Sequence, residues 1–558
     1  MNLTKKKYFI CFLIIMFLAF LLRFYKLGQV PVSLYWDEAA ILIDAKTVAQ
    51  TGLDMHSRPW FQLLYPSYGD FKLPVYIWLS SISIKLFSVG EWQLRLTSAL
   101  AGMGSILFAG LIAKELSNSE SEARNFSLAT MLVVTISPWA IMFSRTGFEG
   151  HLAQFFVAVS IYFLLLSKRL DKYLILITAV LFGSLATYTY FSVRFVWPAV
   201  FLIFQVLLGS KIKIDNNLQI FCFFRWVIAK LLLPILLFFI LLIPMFKSPF
   251  YKTSNQYRYS ADSVLNCCEY ALDSNKLREL ASNNFFDRLI FHRHLLLLKE
   301  LAKNYSDNLS ANFLFLNGDP NLRHGTGEHG LFLLPLSLAL ISGFYYLAKK
   351  DWKVLFFLLG WWFAALLPAS VPETTPHALR SLNALLPISL IMGFGLAKII
   401  KNYFFKKTKF IIFSYFLLIG ISFVNFSYHY FVYYPKDSAR DWQDAYKEIA
   451  MLIEEKKDNV DILLVEPNHN RLFIWYLAYV VDAEIIQSLP SKNFKFEQIE
   501  SIYFTDNDWS KHLSSAKKII LVGEKKYIEN QLSEIERIPI QNIEINNYAS
   551  TNFILVEL

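Results

Sequence analysis

Asp37 and Glu38 stand side by side in YWDEAA, just past an apolar run of about residues 8–27. That run is long enough to cross a bilayer, and two acids at its mouth are costly to place there without a use. Similar groups recur between later apolar runs. Asp70 and Lys72 follow in the same loop, Arg145, Glu149 and His151 lie in SRTGFEGH, and Tyr188, Tyr190 and Arg194 lie in YTYFSVRF. Further along, NLRHGTGEHG holds Arg323, His324, Glu328 and His329, and PETTPHALRSL holds Glu373, His377 and Arg380. A carboxylate among these can take a proton from an attacking hydroxyl. Cations can neutralise a phosphate as it leaves. With a groove for an isoprenoid tail, they make up the minimum needed to move a sugar off a lipid phosphate. A nearby carboxylate also stabilises the oxocarbenium-like state of such a transfer.

Each group has a plainer reading as well. Asp37 and Glu38 fit a solvated loop, Lys72 a membrane interface, and Arg145 a side chain that snorkels. Arg194 fits a structural ion pair, and His324 and His329 fit capping or solvated positions. No third ligand is identifiable beside the two histidines, so no metal or other cofactor is expected. Gly325 and Gly327 fit a turn.

The elements that must position these groups are membrane helices. Of 558 residues, 55% are hydrophobic, 17% aromatic and only 18% charged, against about 25% charged in soluble domains. The first run lacks a small-residue cleavage site and reads as an uncleaved span. The net charge is +10. The basic residues sit in short loops between apolar runs, which reports membrane orientation and argues against nucleic-acid binding. Cys11, Cys222, Cys267 and Cys268 show no metal-ligand spacing, and no disulfide framework is expected.

Lys5, Lys6 and Lys7 favour a cytoplasmic start, with Arg23 and Lys26 snorkelling at the far end of the first run. Basic loops at Lys168–Lys172, Lys211–Lys213, Lys349–Lys353 and Lys398–Lys409 should also face the cytoplasm. From an outer WDE loop, an odd number of crossings must precede Lys168, yet four apolar runs intervene. The run 73–89 is, with 151–167, the shortest of the four, opens with Lys72 and Pro74 and contains Lys85, so it is expected to lie in the outer interface. Runs near 94–116, 126–143, 151–167, 173–190, 195–209, 226–247, 330–348, 353–369, 381–399 and 410–430 complete about eleven spans. The expected fold is thus a polytopic α-helical membrane domain over residues 1–435, with outer loops 28–93 and 248–329. The long polar loop carries helical patches such as DRLIFHRHLLLLKELAK. A small extracytoplasmic α/β domain follows over residues 436–558, with helix, strand, helix, strand and strand patterns in DWQDAYKEIAMLIEEKK, DILLVE, RLFIWYLAYVV, KKIILVG and NFILVEL. It lacks phosphate-loop and dinucleotide-binding patterns.

The order of these motifs resembles bacterial members of the protein O-mannosyltransferase and aminoarabinose-transferase superfamily. These are GT-C glycosyltransferases of the dolichyl-phosphate-mannose-protein mannosyltransferase-like kind. WDE after the first span, DFKLPVYIW, GEWQLRLTSALAG, SPWAIMFSRTGFEGH, RHGTGEHGLFLLP, PHALRSLNALLP and YHYFVYYPKDSARDWQDAYKEIA carry the likeness over most of residues 1–455. The resemblance implies Asp37 as catalytic base, Lys72 as a donor-phosphate contact and Glu149 as a second active-site acid, where relatives often carry Asp. Glu38 is expected to orient the acceptor or brace the loop. Arg145, Arg194, Arg323, His324 and Arg380 are further candidates for binding donor phosphate or substrate. No match to the WWDYG motif of oligosaccharyltransferases is present.

The expected activity is inverting transfer of a hexose or pentose from a polyprenyl-phosphate carrier to an acceptor outside the cytoplasmic membrane. The acceptor's class, whether lipid, glycan or protein, stays open. A same-fold oligosaccharyltransferase and a flippase of lipid-linked sugars are the competing readings. A transporter should carry polar groups near the midplane, whereas here the charges gather at span ends. A scaffold whose tail binds a partner leaves the outer-loop acids unexplained.

Overall fold

The computed structural model describes residues 5–209, 225–261, 263–265, 268–282, 284–402, 409–469, 471–489, 498–504, 509, 518–533, 541–544 and 553–558. Lys211, Lys213, Lys406, Lys407, Cys222, Cys267 and the Cys268 side chain lie outside the described residues; Cys11 is a free thiol. The chain divides into two compact units. One comprises Met1–Tyr25, Ser98–Ser144 and Glu149–Ser427; the other comprises Lys26–Thr97, Arg145–Phe148 and Tyr428–Leu558.

The first unit is helical. Seven helices of the described chain are long and apolar enough to cross a membrane, among them Lys5–Phe24, Glu91–Glu115, Glu149–Leu170 and Leu382–Lys401. Together with Glu120–Ile136, Tyr173–Thr187, Val193–Gly209 and Leu336–Lys350, they cover the eleven apolar runs expected to span. Phe9, Leu13 and Phe17 of the first helix are exposed, which suits contact with lipid rather than water. Leu336–Lys350 packs closely on Leu385–Asn402, because a side chain at Gly343 or Gly395 would strike the facing backbone of Ile391 or Ala339.

Two local breaks depart from the hydropathy pattern. The run 126–143 is not one helix: Glu120–Ile136 stops, and Pro138–Phe143 restarts with Ser137 as its cap and Pro138 in its first turn. Proline lacks the N–H that would continue the ladder. Arg23 uses carbonyls at the end of the first of these helices, reaching Val134 O at 3.3 Å and Thr135 O at 3.5 Å while fully buried. It therefore does not snorkel, as hydropathy alone suggests. In the polar loop, the helical patch DRLIFHRHLLLLKELAK is divided between Phe285–Ile290 and Arg293–Asp307, where His292 caps the second piece.

The second unit contains the helix Trp36–Thr51, a two-stranded hairpin, the helix Pro74–Phe87 and an α/β layer. Pro74–Phe87 has 14 residues, about 21 Å of helix against the roughly 30 Å of a hydrocarbon core. The hairpin pairs β1 (Tyr65–Ser67) with β2 (Asp70–Lys72). The tail sheet comprises β3 (Ile462–Val465), β4 (Gln498–Ile499), β5 (Ile502–Tyr503), β6 (Ile519–Glu524), β7 (Gln541–Glu544) and β8 (Phe553–Glu557) in the order β4-β5-β3-β6-β8-β7. β3 runs parallel to β5 and β6, and the outer strands are antiparallel. Leu464, Ile519, Leu521, Ile528, Ile554 and Val556 form its core. Their near-continuous apolar runs are those of strands covered on both faces.

Candidate active site

Asp37 is presented by a helix start. The Tyr35 carbonyl accepts the first helical bond from Ala39 N–H, and the Tyr35 N–H donates to Glu38 Oε2 at 3.1 Å. Asp37 and Glu38 thus occupy the first turn, where the helix macrodipole favours negative charge. The Trp36 N–H donates to Gln443 Oε1 at 2.9 Å, tying the helix start to the tail region of the same unit.

Lys72 is presented by the hairpin. Tyr68 and Gly69 both have positive φ, as a tight two-residue turn requires. This sets Tyr65 opposite Lys72 and leaves Lys72 at the end of β2, just before Pro74 opens the next helix. Its Nζ forms an ion pair with Asp37 Oδ1 and lies 3.4 Å from Asp70 Oδ2. The Lys72 side chain is 6% exposed and that of Asp37 25%, so the carboxylate keeps an accessible face. The Lys72 ammonium and the Arg471 guanidinium lie 5.8 and 4.1 Å from the Trp36 ring centroid, within cation–π range. A partly exposed carboxylate paired with a lysine can accept a proton while the lysine holds an anion.

Glu38 is differently placed. It is fully buried and takes Arg95 Nε at 3.1 Å and Nη2 at 3.0 Å, together with the backbone N–H groups of Tyr35 and Gly147. Arg95 also donates to Pro31 O at 2.9 Å and Ser33 O at 2.5 Å. These bonds leave Glu38 no accessible face for an acceptor and make it a brace. Arg145 is likewise buried. It donates to Lys26 O at 3.1 Å and Val30 O at 3.0 Å, and lies 4.9 Å from the Phe431 ring centroid. Burial pulls it below the ordinary arginine value. It staples the loop after the first helix and does not snorkel.

The remaining candidates belong to the first unit. Glu149 opens the helix Glu149–Leu170 and is half-buried. Arg194 donates to Asn255 Oδ1 at 3.1 Å and lies 4.5 Å from the Phe191 ring centroid. Arg323 donates through Nε to Asn321 Oδ1 at 3.0 Å. His329 lies within hydrogen-bond distance of Thr326 and Asn425, at 3.3 and 3.2 Å. His324 stacks on His377 with ring centroids 4.8 Å apart. Burial pushes His377 well below the usual histidine value, and the charges of His324, Arg380 and Arg323 add to this. Arg95, Gln443, Arg471 and Asp319 are absent from the sequence-derived set. Arg95 carries a readable signal, a charge inside an apolar run; the others carry none.

Residues 71–238 match the family model for dolichyl-phosphate-mannose-protein mannosyltransferase, in line with the GT-C resemblance of the motifs. A protein of Aquifex aeolicus (strain VF5), described as an uncharacterized protein, is 27% identical over 225 residues, or 38% of this chain and 42% of that protein. The aligned part thus spans less than half of that relative. Among solved structures, the oligosaccharyltransferase of Archaeoglobus fulgidus tethered to an acceptor peptide is 12% identical. It aligns over 85% of this chain and 63% of its own with a TM-score of 0.49. ArnT from Cupriavidus metallidurans in the apo state is 12% identical over 98% and 97% of the two chains, with a TM-score of 0.45. The chain is a polytopic membrane protein, and its residues 71–238 are similar in sequence to that mannosyltransferase family.

Proposed function

We propose that this chain is an inverting glycosyltransferase that moves one sugar from a polyprenyl-phosphate donor to an acceptor hydroxyl on the outer side of the cytoplasmic membrane. The observation that carries the reading is the Asp37–Lys72 pair, a quarter-exposed carboxylate fixed at a helix start by a lysine from a tight hairpin. Asp37 takes the acceptor's proton as the new bond forms on the sugar's anomeric carbon. Lys72 holds the carboxylate in place and contacts the leaving phosphate, which departs as an anion. Arg471, beside Trp36, is a second phosphate contact. Lys and Arg suffice for a monophosphate leaving group, so the transfer step itself calls for no metal.

Glu149 is retained as the second acid, and Arg194, Arg323 and Arg380 as contacts to donor or acceptor. Glu38 and Arg145 are assigned to bracing, on the strength of their bonds. Mass spectrometry of envelope lipids, glycans and proteins from a strain lacking the gene tests the reading. The expected result is loss of a single-sugar mass from one class of molecule, restored by the intact gene and not by Asp37→Asn. An unchanged envelope inventory overturns it.

A further inference from the structure

Three side chains that the proposed transfer does not use meet in the first unit. Asp319, His324 and His377 each offer one ligand atom, and these atoms lie within 4.8 Å of one another. They come from two separate stretches of chain, the 317–330 loop and the 370–381 loop. Local bonds build the first stretch. Asn321 N–H donates to Asp319 Oδ1 at 2.9 Å, and His324 N–H and Gly325 N–H return to Asn321 O at 2.8 and 3.0 Å. This closes a loop so tight that a Cβ at Gly325 would sit 2.5 Å from Asp319 O. Closure brings His324 back over Asp319, with Nδ1 3.5 Å from Oδ2.

The second stretch is anchored independently. His377 N–H donates to Asn308 Oδ1 at 3.0 Å, Ala378 N–H to Asp319 Oδ2 at 2.7 Å, and Trp139 Nε1 to Ala378 O at 3.1 Å. The carboxylate is therefore oriented by two backbone donors and is only 2% exposed. That is the outer-shell support which metal-ligating carboxylates carry. A buried carboxylate facing two imidazoles is a nitrogen-and-oxygen donor set suited to zinc or a neighbouring transition ion.

We propose that Asp319, His324 and His377 bind one transition-metal dication of the zinc class, with water in the fourth position. The ion clasps the 317–330 loop to the 370–381 loop. A tetrahedral zinc wants donor atoms about 3.3 Å apart, so the ligands must draw together by up to about 1.5 Å, a side-chain adjustment. The clasp is separate from the proton and phosphate chemistry assigned to Asp37 and Lys72, and its success or failure leaves that reading untouched.

The test uses the full-length protein, purified in detergent without chelator, and reads metal rather than activity. Elemental analysis should find about one zinc-class ion per chain. Replacement of that ion by cobalt(II) should give the visible d–d bands of a four-coordinate site. His377→Gln should weaken zinc binding by more than the roughly 10–100-fold that loss of an outer-shell partner costs. The double variant His324→Gln with His377→Gln should lose the cobalt spectrum. Should the variants fail to fold, the wild-type metal content and cobalt titration still decide the matter. Absence of metal and of cobalt bands in the wild type shows a hydrogen-bonded cluster only and overturns the proposal, as does undiminished binding in the double variant.

Discussion

Arg95 grips both carboxylate oxygens of Glu38, at 3.1 and 3.0 Å, and neither side chain is exposed to solvent. The residue next to Glu38 in the chain is the proposed base, so this pair fixes the helix start from which Asp37 projects. A buried ion pair is weak evidence of net stabilisation, but removing one partner leaves the other charge uncompensated, at a cost of about 3–5 kcal/mol. Glu38→Ala should therefore lower the melting temperature and the folded yield sharply. Loss of activity in Glu38→Ala with an unchanged melting temperature would instead make Glu38 a reagent and not a brace.

Lys72 holds Asp37 and is also assigned a phosphate contact, so its removal should show in two parameters. A charge-assisted contact to phosphate is worth about 1.5–3 kcal/mol. Lys72→Ala should weaken donor use roughly ten- to a hundredfold, with a rise in the donor KM and a fall in kcat. Lys72→Arg should recover part of the donor affinity but less of kcat, since a planar fork cannot reproduce the point contact to Asp37. Unchanged donor KM in Lys72→Ala removes the phosphate contact.

Lys46 provides a pH test of the second unit. Its ammonium reaches Leu477 O, Ala478 O and Val481 O at 3.3, 3.2 and 2.6 Å. Burial pulls its pKa down from 10.5 to about 8, partly opposed by Asp482. The unfolded chain holds this proton up to the ordinary lysine value, whereas the folded chain releases it near 8. Between these values the unfolded state binds more protons, so this residue's contribution makes stability rise with pH, by at most about 3 kcal/mol. Thermal melts of wild type and Lys46→Met across this window should diverge in favour of the wild type as pH rises. A constant difference removes the titration.

Much of the architecture was legible in the sequence because membrane helices write themselves in long apolar runs. The strands at Ile462–Val465, Ile519–Glu524 and Phe553–Glu557 were legible for a similar reason, as short β-rich apolar runs. Breaks inside a run were harder to see. Pro138 interrupts 126–143 without lowering its hydropathy, and Arg23 turns inward to the carbonyls left there. Asp37 and Lys72 could be named from type and position, but their pairing depends on a hairpin register that composition does not encode. Arg471 approaches Trp36 from more than four hundred residues away, which no local pattern reports. Asp319 gave no signal beside His324, because its partner His377 lies in another loop.

Sidedness rests on loop charge and is tested by labelling. Basic-loop parity predicts that Glu149 and residues 436–558 lie outside and that 73–89 does not cross. In an otherwise cysteine-free chain, Glu149→Cys should react with an impermeant maleimide in intact cells. A cysteine at Lys168 should react only after permeabilisation. Reaction of position 149 only after permeabilisation would reverse the assignment.

Asp37→Asn is the sharpest test of the chemistry. Asparagine keeps the shape of the side chain and can still bond Lys72 through its carbonyl, but it cannot take the acceptor's proton. Turnover should fall by about 10²–10⁴-fold, the range for loss of a general base. Donor KM should change little, because Lys72 and Arg471 remain. The melting temperature should shift by only a few degrees, since the carboxylate is a quarter exposed and a partly exposed ion pair contributes about 1 kcal/mol or less. The rival view makes Asp37 a structural partner of Lys72 and nothing more. It predicts the reverse pattern, with stability lost and turnover per folded molecule retained. Purified, folded Asp37→Asn with near-normal turnover on the true donor and acceptor would refute the base assignment. The competing acid is then Glu149, and Glu149→Gln in the same assay should carry the loss.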